Sequence, residues 1–314
     1  MLKKLLIFAA LLLTALIALL ISTFSGAKVD FAPLTADSLP AASPPTDMTI
    51  SAISTGKMES RAAFAFRGGS LGDKRDFTMT VFLVHHPKGD LIFDAGFGRG
   101  LEAHLSTEPW LLRTFAKATP GTPVGDRLAA GGYDFGHLAG VVLTHAHWDH
   151  VSGLDRLPKD TPVWVSASER QFIASGSSKS ELIRSFGELN YKVYEFNGGP
   201  YLGFSQSLDV LGDGSVVLVP APGHTPGSIV AFITLPSGTR YALLGDLVWQ
   251  SEGVEIPAER PWLSRRLVEE NDDEVRANIA RMAAIHARFP DIRMVPAHDA
   301  RAAATIGVYP EVTR

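Results

Sequence analysis

In the segment Thr144-His145-Ala146-His147-Trp148-Asp149-His150, four side chains able to bind a metal occupy six consecutive positions, directly after the apolar run Val141 to Leu143. Side chains two apart on an extended backbone point to the same side, so His145 and His147 converge on one ion while Asp149 and His150 turn toward a neighbouring one. Three further candidates each sit just beyond an apolar run: His224 after Val216 to Val219, Asp246 after Tyr241 to Leu244, and His298 after Ile292 to Val295. Counting donors, His145, His147 and His224 supply three nitrogens to a first metal. Asp149, His150 and His298 supply two nitrogens and an oxygen to a second, and Asp246 can bridge the two. The chain has no cysteine, so any metal rests on imidazole and carboxylate. Zinc accepts that mixture and leaves room for water, with manganese, cobalt or iron as alternatives of the same donor chemistry.

Two such ions about 3.5–4 Å apart hold a bridging water and lower its pKa toward about 7, which makes hydroxide available as a nucleophile. The chemistry expected is therefore metal-assisted hydrolysis, with Asp149 passing a proton to the leaving oxygen. Trp148, Trp249 and Phe97, with the stretch Trp110 to Phe115, are candidates for the wall of an apolar substrate pocket. Large aromatic side chains are also the ordinary content of a core. His85, His86, His104, His137 and His286 lack comparable company and read as structural.

These residues need strand ends to carry them. Thr80 to His85, the turn Pro87-Lys88-Gly89-Asp90, and Leu91 to Phe93 read as a hairpin. Further β-type runs follow at Val141 to Thr144, Val163 to Val165, Val216 to Val219, Ser228 to Ile233, Tyr241 to Leu244 and Ile292 to Val295. The clearest helix is Asn271 to Arg288, with Asn271 as cap, acidic residues at its positive end, Val275, Ile279, Met282 and His286 on or near one face, and Pro290 as a stop. Residues 98 to 132 mix apolar and Pro/Gly-rich segments and read either as a lid or as a helix packed on the core. Strands in two groups with helices between them imply a sheet-on-sheet core with helical covers.

At the N-terminus, Lys3 and Lys4 precede an almost unbroken apolar run from Leu5 to Ile21, followed by the small residues Ser25, Gly26 and Ala27. Residues 1–27 are expected to be a signal peptide or an N-terminal membrane anchor, residues 28–47 a Pro/Ala/Ser-rich linker, and residues 48–314 the catalytic domain. Lysines held inside place that domain on the far side of the inner membrane, either periplasmic or anchored facing the periplasm. A net charge of −4 without a long basic run excludes the electrostatic footprint of a nucleic-acid binder.

The H-x-H-x-D-H pattern of His145, His147, Asp149 and His150 resembles the signature of the metallo-β-lactamase superfamily, a likeness that covers about Met48 to the C-terminus. The resemblance implies an α/β fold, an αββα sandwich of two mixed sheets flanked by helices, and gives Asp94 the role of supporting the site from behind the ligands. Within the superfamily the sequence is most similar to the N-acyl-homoserine lactonases and their relatives, through Pro222-Gly223-His224-Thr225-Pro226-Gly227, Asp246, Ala297-His298-Asp299 and Val308-Tyr309-Pro310-Glu311. It implies two zinc ions and a lipophilic ester or lactone as substrate. The chain departs from those lactonases at Trp249, where they commonly carry a substrate-binding tyrosine; an indole N–H can donate a hydrogen bond but is no phenol acid. Hydrolysis of phosphodiesters or phosphotriesters on the same metal pair, and mononuclear iron oxygenation in a related fold, are the rival readings.

Overall fold

The computed structural model describes residues 1–108, 110, 113 and 117–314. Its twelve strands in the described residues are β1 Thr49–Arg61, β2 Lys74–His85, β3 Asp90–Phe93, β4 Lys117–Pro120, β5 Leu138–Val142, β6 Val163–Ser166, β7 Tyr191–Tyr194, β8 Leu208–Asp209, β9 Val216–Pro220, β10 Ile229–Thr234, β11 Arg240–Gly245 and β12 Ile292–Pro296. They form a seven-stranded sheet in the order β4-β1-β2-β3-β5-β6-β7 and a five-stranded sheet in the order β12-β11-β10-β9-β8. Both are mixed. β3, β5, β6 and β7 run parallel to one another, as do β11 and β12, while the remaining pairs are antiparallel.

The apolar runs are continuous because both faces of each sheet are covered. Alternate residues face opposite ways. Phe93, Val142, Leu218, Tyr241 and Leu243 meet in the core shared by the two sheets. Ile92, Val141 and Leu143 turn to the other face of the first sheet and pack with Leu128, Ile173 and Leu182 from helices. Ala242 and Leu244 turn to the outer face of the second and pack with Val275, Ile279, Met282 and Ile285. Burying each such large aliphatic or aromatic side chain contributes roughly 1.5–3 kcal/mol. The result is the αββα sandwich.

The helix carrying the last four of those residues is Asp272–Arg288, and the Asn271 side chain accepts the N–H groups of Asp273 and Glu274 at its start. His286 is half-buried on it. The hairpin read between His85 and Asp90 is present as the antiparallel pair of β2 and β3.

Strand β1 carried no strong sequence signal, since its apolar residues are interleaved with Ser, Thr and Gly, yet it is the longest strand, thirteen residues. It pairs with β2 along most of its length and with β4 near Gly56. In the stretch 98–132, the described residues form the short helices Leu101–Leu105 and Val124–Ala130 and edge strand β4. The reading of Leu111, Leu112 and Phe115 as pocket wall or lid lies outside the described residues.

Residues 28–47 contain no helix or strand. They are nonetheless tied along the body: Val29 is buried and donates its N–H to Pro257 O at 2.7 Å, Arg288 donates to Asp37 O at 2.9 Å, and Arg240 donates to Pro40 O at 2.7 Å.

Candidate metal centre

The parallel pairings put strand ends level with one another. β3 and β5 are neighbours, so the residues that follow them, Asp94 and Thr144, meet. β11 and β12 likewise bring Asp246 and His298 to one sheet edge, and the antiparallel β9–β10 connection carries His224 to the same edge. Ile229 donates its N–H to Thr144 O at 3.1 Å, which joins the two sheets beside the site.

The structure brings all seven sequence-predicted ligands together. His145, His147 and His224 offer ligand atoms within 4.8 Å of one another; Asp149, His150 and His298 form a second such group, and His145, His150 and Asp246 a third between them. Asp246 faces both sides. Its Oδ1 lies 3.1 Å from His150 Nε2 and 2.9 Å from His298 Nε2, while its Oδ2 lies 3.5 Å from His224 Nε2. Asp149 Oδ2 is 3.5 Å from His298 Nε2.

A divalent ion fits this donor set. The Nε2 atoms of His145, His147, His150 and His224 and the Oδ1 of Asp246 are buried without a hydrogen-bond partner. Orphaned buried polar atoms are rare in folded proteins, and five converging on one space are the donors a divalent cation would satisfy.

The opposite ring nitrogens are occupied. His298 Nδ1 lies 3.0 Å from the carbonyl of Thr78, His150 Nδ1 2.8 Å from Asp94 Oδ2, and His145 Nδ1 3.1 Å from Thr144 Oγ1. A ring whose Nδ1–H donates to such an acceptor leaves the Nε2 lone pair free for a metal. Thr144 Oγ1 donates onward to Asp94 Oδ2 at 2.9 Å, and Thr144 N donates to Asp94 Oδ1 at 2.7 Å. Asp94 therefore holds ligands of both groups. It does so from a left-handed backbone, φ 59°, which aspartate tolerates better than most residues.

The electrostatics divide the histidines. Burial pushes His145 and His224 well below the usual range, helped by neighbouring imidazoles, and pushes His147 down to about 3. These rings are neutral and ready to ligate near pH 7. Burial also acts to lower His150, but Asp94, Asp246 and Asp149 outweigh it and hold the ring well above the usual range. For His298, burial is likewise outweighed by Asp246 and Asp149. Burial opposes ionisation of Asp246, yet His298 and His150 keep its carboxyl well below the ordinary range. So much carboxylate charge beside buried imidazoles is the field a cation would neutralise.

The candidate substrate residues sit otherwise. Phe97 and Trp148 are buried and stack on each other with centroids 5.2 Å apart, as part of the core beneath the ligand loop. Trp249 is half-buried, and its Nε1 donates to Asp246 Oδ2 at 2.7 Å. Trp110 is exposed.

Among the histidines read as structural, His85 and His137 gather instead around Asp90 at the other end of β3. His85 Nδ1 is 2.8 Å from Asp90 Oδ1 and His137 Nε2 is 3.6 Å from it, and the Tyr133 hydroxyl donates to Asp90 Oδ2.

Three supports escaped the sequence reading. Buried Glu169 accepts from Ala146 N at 2.7 Å, Thr225 Oγ1 at 2.7 Å and Gly227 N at 3.0 Å, clamping the His145–His147 loop to the His224 loop. Burial pushes its carboxyl up to about 7 against those three bonds. Arg260, buried, donates to Asp246 O at 2.7 Å and to Glu269 Oε1, with its guanidinium over the Trp249 ring. Gln250 Nε2 donates to His298 O at 2.7 Å. None stands in a short motif with the ligand it supports.

Two mixed sheets under helical covers, with a His/Asp cluster at their common edge, define a metallo-hydrolase of the αββα class. The chain belongs to the metallo-β-lactamase superfamily, whose family model matches residues 75–297. It is 30% identical over 239 residues to a probable metallo-hydrolase of Mycobacterium tuberculosis, covering 70% of this chain and 74% of the relative. It is 25% identical over 252 residues to an N-acyl homoserine lactonase of Agrobacterium fabrum, covering 76% and 89%. Among solved structures, an N-acyl homoserine lactone hydrolase with N-hexanoyl-L-homoserine at its catalytic metal centre superposes with a TM-score of 0.64 at 20% identity, over 87% of this chain and 100% of that one.

Proposed function

We propose that this chain is a dinuclear, zinc-dependent hydrolase of ester and lactone bonds, with N-acyl-homoserine lactones as its leading substrate class. The observation that carries the reading is the placement of Asp246, one oxygen toward His150 and His298 and the other toward His224, which suits a carboxylate bridging two ions. The lactonase named among the relatives and the product-bound hydrolase of the same fold support the substrate class.

His145, His147 and His224 would hold one ion, Asp149, His150 and His298 the other. Bound there, the ions supply Lewis-acid polarisation of a carbonyl and a water acidified to near neutral pH. The residues of the chain do the rest. Asp94, Thr144 and the Thr78 carbonyl fix the ring tautomers, Trp249 and Arg260 fix Asp246, and Asp149 carries a proton to the leaving oxygen. Lys3 and Lys4 ahead of the apolar helix support a body outside the cytoplasm, facing the periplasm.

The test combines metal content per chain with turnover of a long-chain acyl-homoserine lactone and an aryl phosphotriester. Two zinc ions with lactone opening is the expected result. Turnover of the phosphotriester alone moves the assignment to phosphoester hydrolysis, and one iron per chain with oxygen consumption overturns the hydrolytic reading.

A further inference from the structure

We propose that the apolar helix Leu2–Phe24 is a retained part of the folded chain, and that the face around its exit seats the catalytic body directly on a lipid bilayer. The helix has a mean hydropathy of 2.9 over its most apolar window, with none of that window buried. At about 1.5 Å per residue its 23 residues reach about 34 Å, enough for a hydrocarbon core of about 30 Å.

A cleaved leader meets the same criteria of length and composition; the far end of this helix does not behave like one. Thr23 is buried, and Phe24 meets Phe64 edge-on with centroids 5.6 Å apart. Arg67 donates to Ser22 O at 2.9 Å and to Ser25 O at 3.1 Å, and Gly68 N donates to Phe24 O at 3.0 Å. These bonds satisfy carbonyls that the end of a helix leaves without partners, with a cation at its negative pole. The backbones approach so closely that a Cβ on Gly68 would lie 3.2 Å from Gly26 Cα. Cleavage after Ala27 would remove every one of these partners.

The body around this exit has an interfacial character. Val29 N donates to Pro257 O, Arg67 N to Glu259 O, and Ser264 Oγ to Phe64 O, so segments 24–31, 62–72 and 256–266 form one face. That face exposes Phe31, Leu71, Ile256 and Trp262 at 39–59%. Beyond the N-terminal helix, only Trp110, Val193, Val308 and Val312 are the other large hydrophobics exposed among the described residues, so half of that apolar exposure gathers at the helix exit. Lys28 and Arg266 are exposed beside it, and the Arg266 guanidinium is 5.7 Å from the Trp262 ring centre. Indole rings and long basic side chains at one level are the chemistry of a membrane–water boundary.

A bilayer is the fitting occupant because the helix end and the face are one packed unit. Only the residues between Phe24 and Val29 separate the span from the body, a reach of a few residues at about 3.5 Å each. Segment 256–266 of that face carries Arg260, which holds the Asp246 backbone, so the membrane face and the candidate metal centre share a support.

The experiment uses the full chain. Its intact mass after detergent extraction from membranes should include residues 1–27. Reconstituted in phosphatidylcholine vesicles, its tryptophan emission should be quenched by brominated acyl chains, and Trp262→Phe should remove part of that quenching. A soluble product beginning near Lys28 overturns retention. Equal quenching in the wild type and Trp262→Phe overturns the seated face and leaves the helix as a mere tether.

Discussion

The indole N–H of Trp249 points at a carboxylate oxygen of Asp246, 2.7 Å away, and is thereby committed to the candidate bridging residue rather than free to meet a substrate carbonyl. Trp249 reads as a positioning residue. Trp249→Phe should lower metal affinity about 10- to 100-fold, the range for lost partners behind metal ligands, and reduce kcat more than it raises KM. Competition with a chromogenic chelator and steady-state kinetics check both. Unchanged affinity would reduce the indole to packing.

Asp94 and Thr144 act as a unit on His145 and His150. Asp94→Asn and Thr144→Val should each weaken metal binding about 10- to 100-fold. The double variant should lose less than the product of the two, because members of one hydrogen-bonded network are non-additive. Metal titrations of the three variants provide the comparison.

Glu169 gives a pH signature. Its folded pKa is raised from 4.5 to about 7, so between those values the folded chain retains a proton that the unfolded chain releases. Stability contributed by this group therefore falls as pH rises through that window and levels off above it. Relative to Glu169→Gln, metal-free wild type should lose stability between pH values near 5 and near 8. Denaturant unfolding of both proteins reads the difference, and a constant difference across the window would place the group at an ordinary pKa.

Gly223, next to His224, has φ +127°, and a Cβ there would lie 2.5 Å from Val275 N. Gly223→Ala should cost at least about 1–3 kcal/mol, the usual cost of such strain. It should also displace His224 and so lower metal content, measured by thermal unfolding and elemental analysis. A variant with wild-type metal loading would separate the turn from the site.

The sandwich and the clustering of His and Asp at its edge were legible because each of these residues follows an apolar run that both sheet faces bury, a signal that survives without alignment. Strand β1 was not, since alternating Ser and Thr blur its period and only pairing with β2 and β4 defines it. Thr78 contributes a carbonyl, which no side-chain pattern can announce. Glu169 reaches the ligand loops from a separate helix, so its role exists only once the chain is folded. Residues 28–47 have a linker's composition, and their attachment depends on backbone bonds invisible in residue type.

The ligands come from both layers: His145 to His150 follow a strand of the seven-stranded sheet, while His224, Asp246 and His298 follow strands of the five-stranded one. The spacing between the two His/Asp groups is thus gauged by the apolar filling between layers about 10 Å apart. Trimming a methyl from Leu218 or Val142, in the core between the layers, would let the layers shift and detune the centre like a slipped caliper.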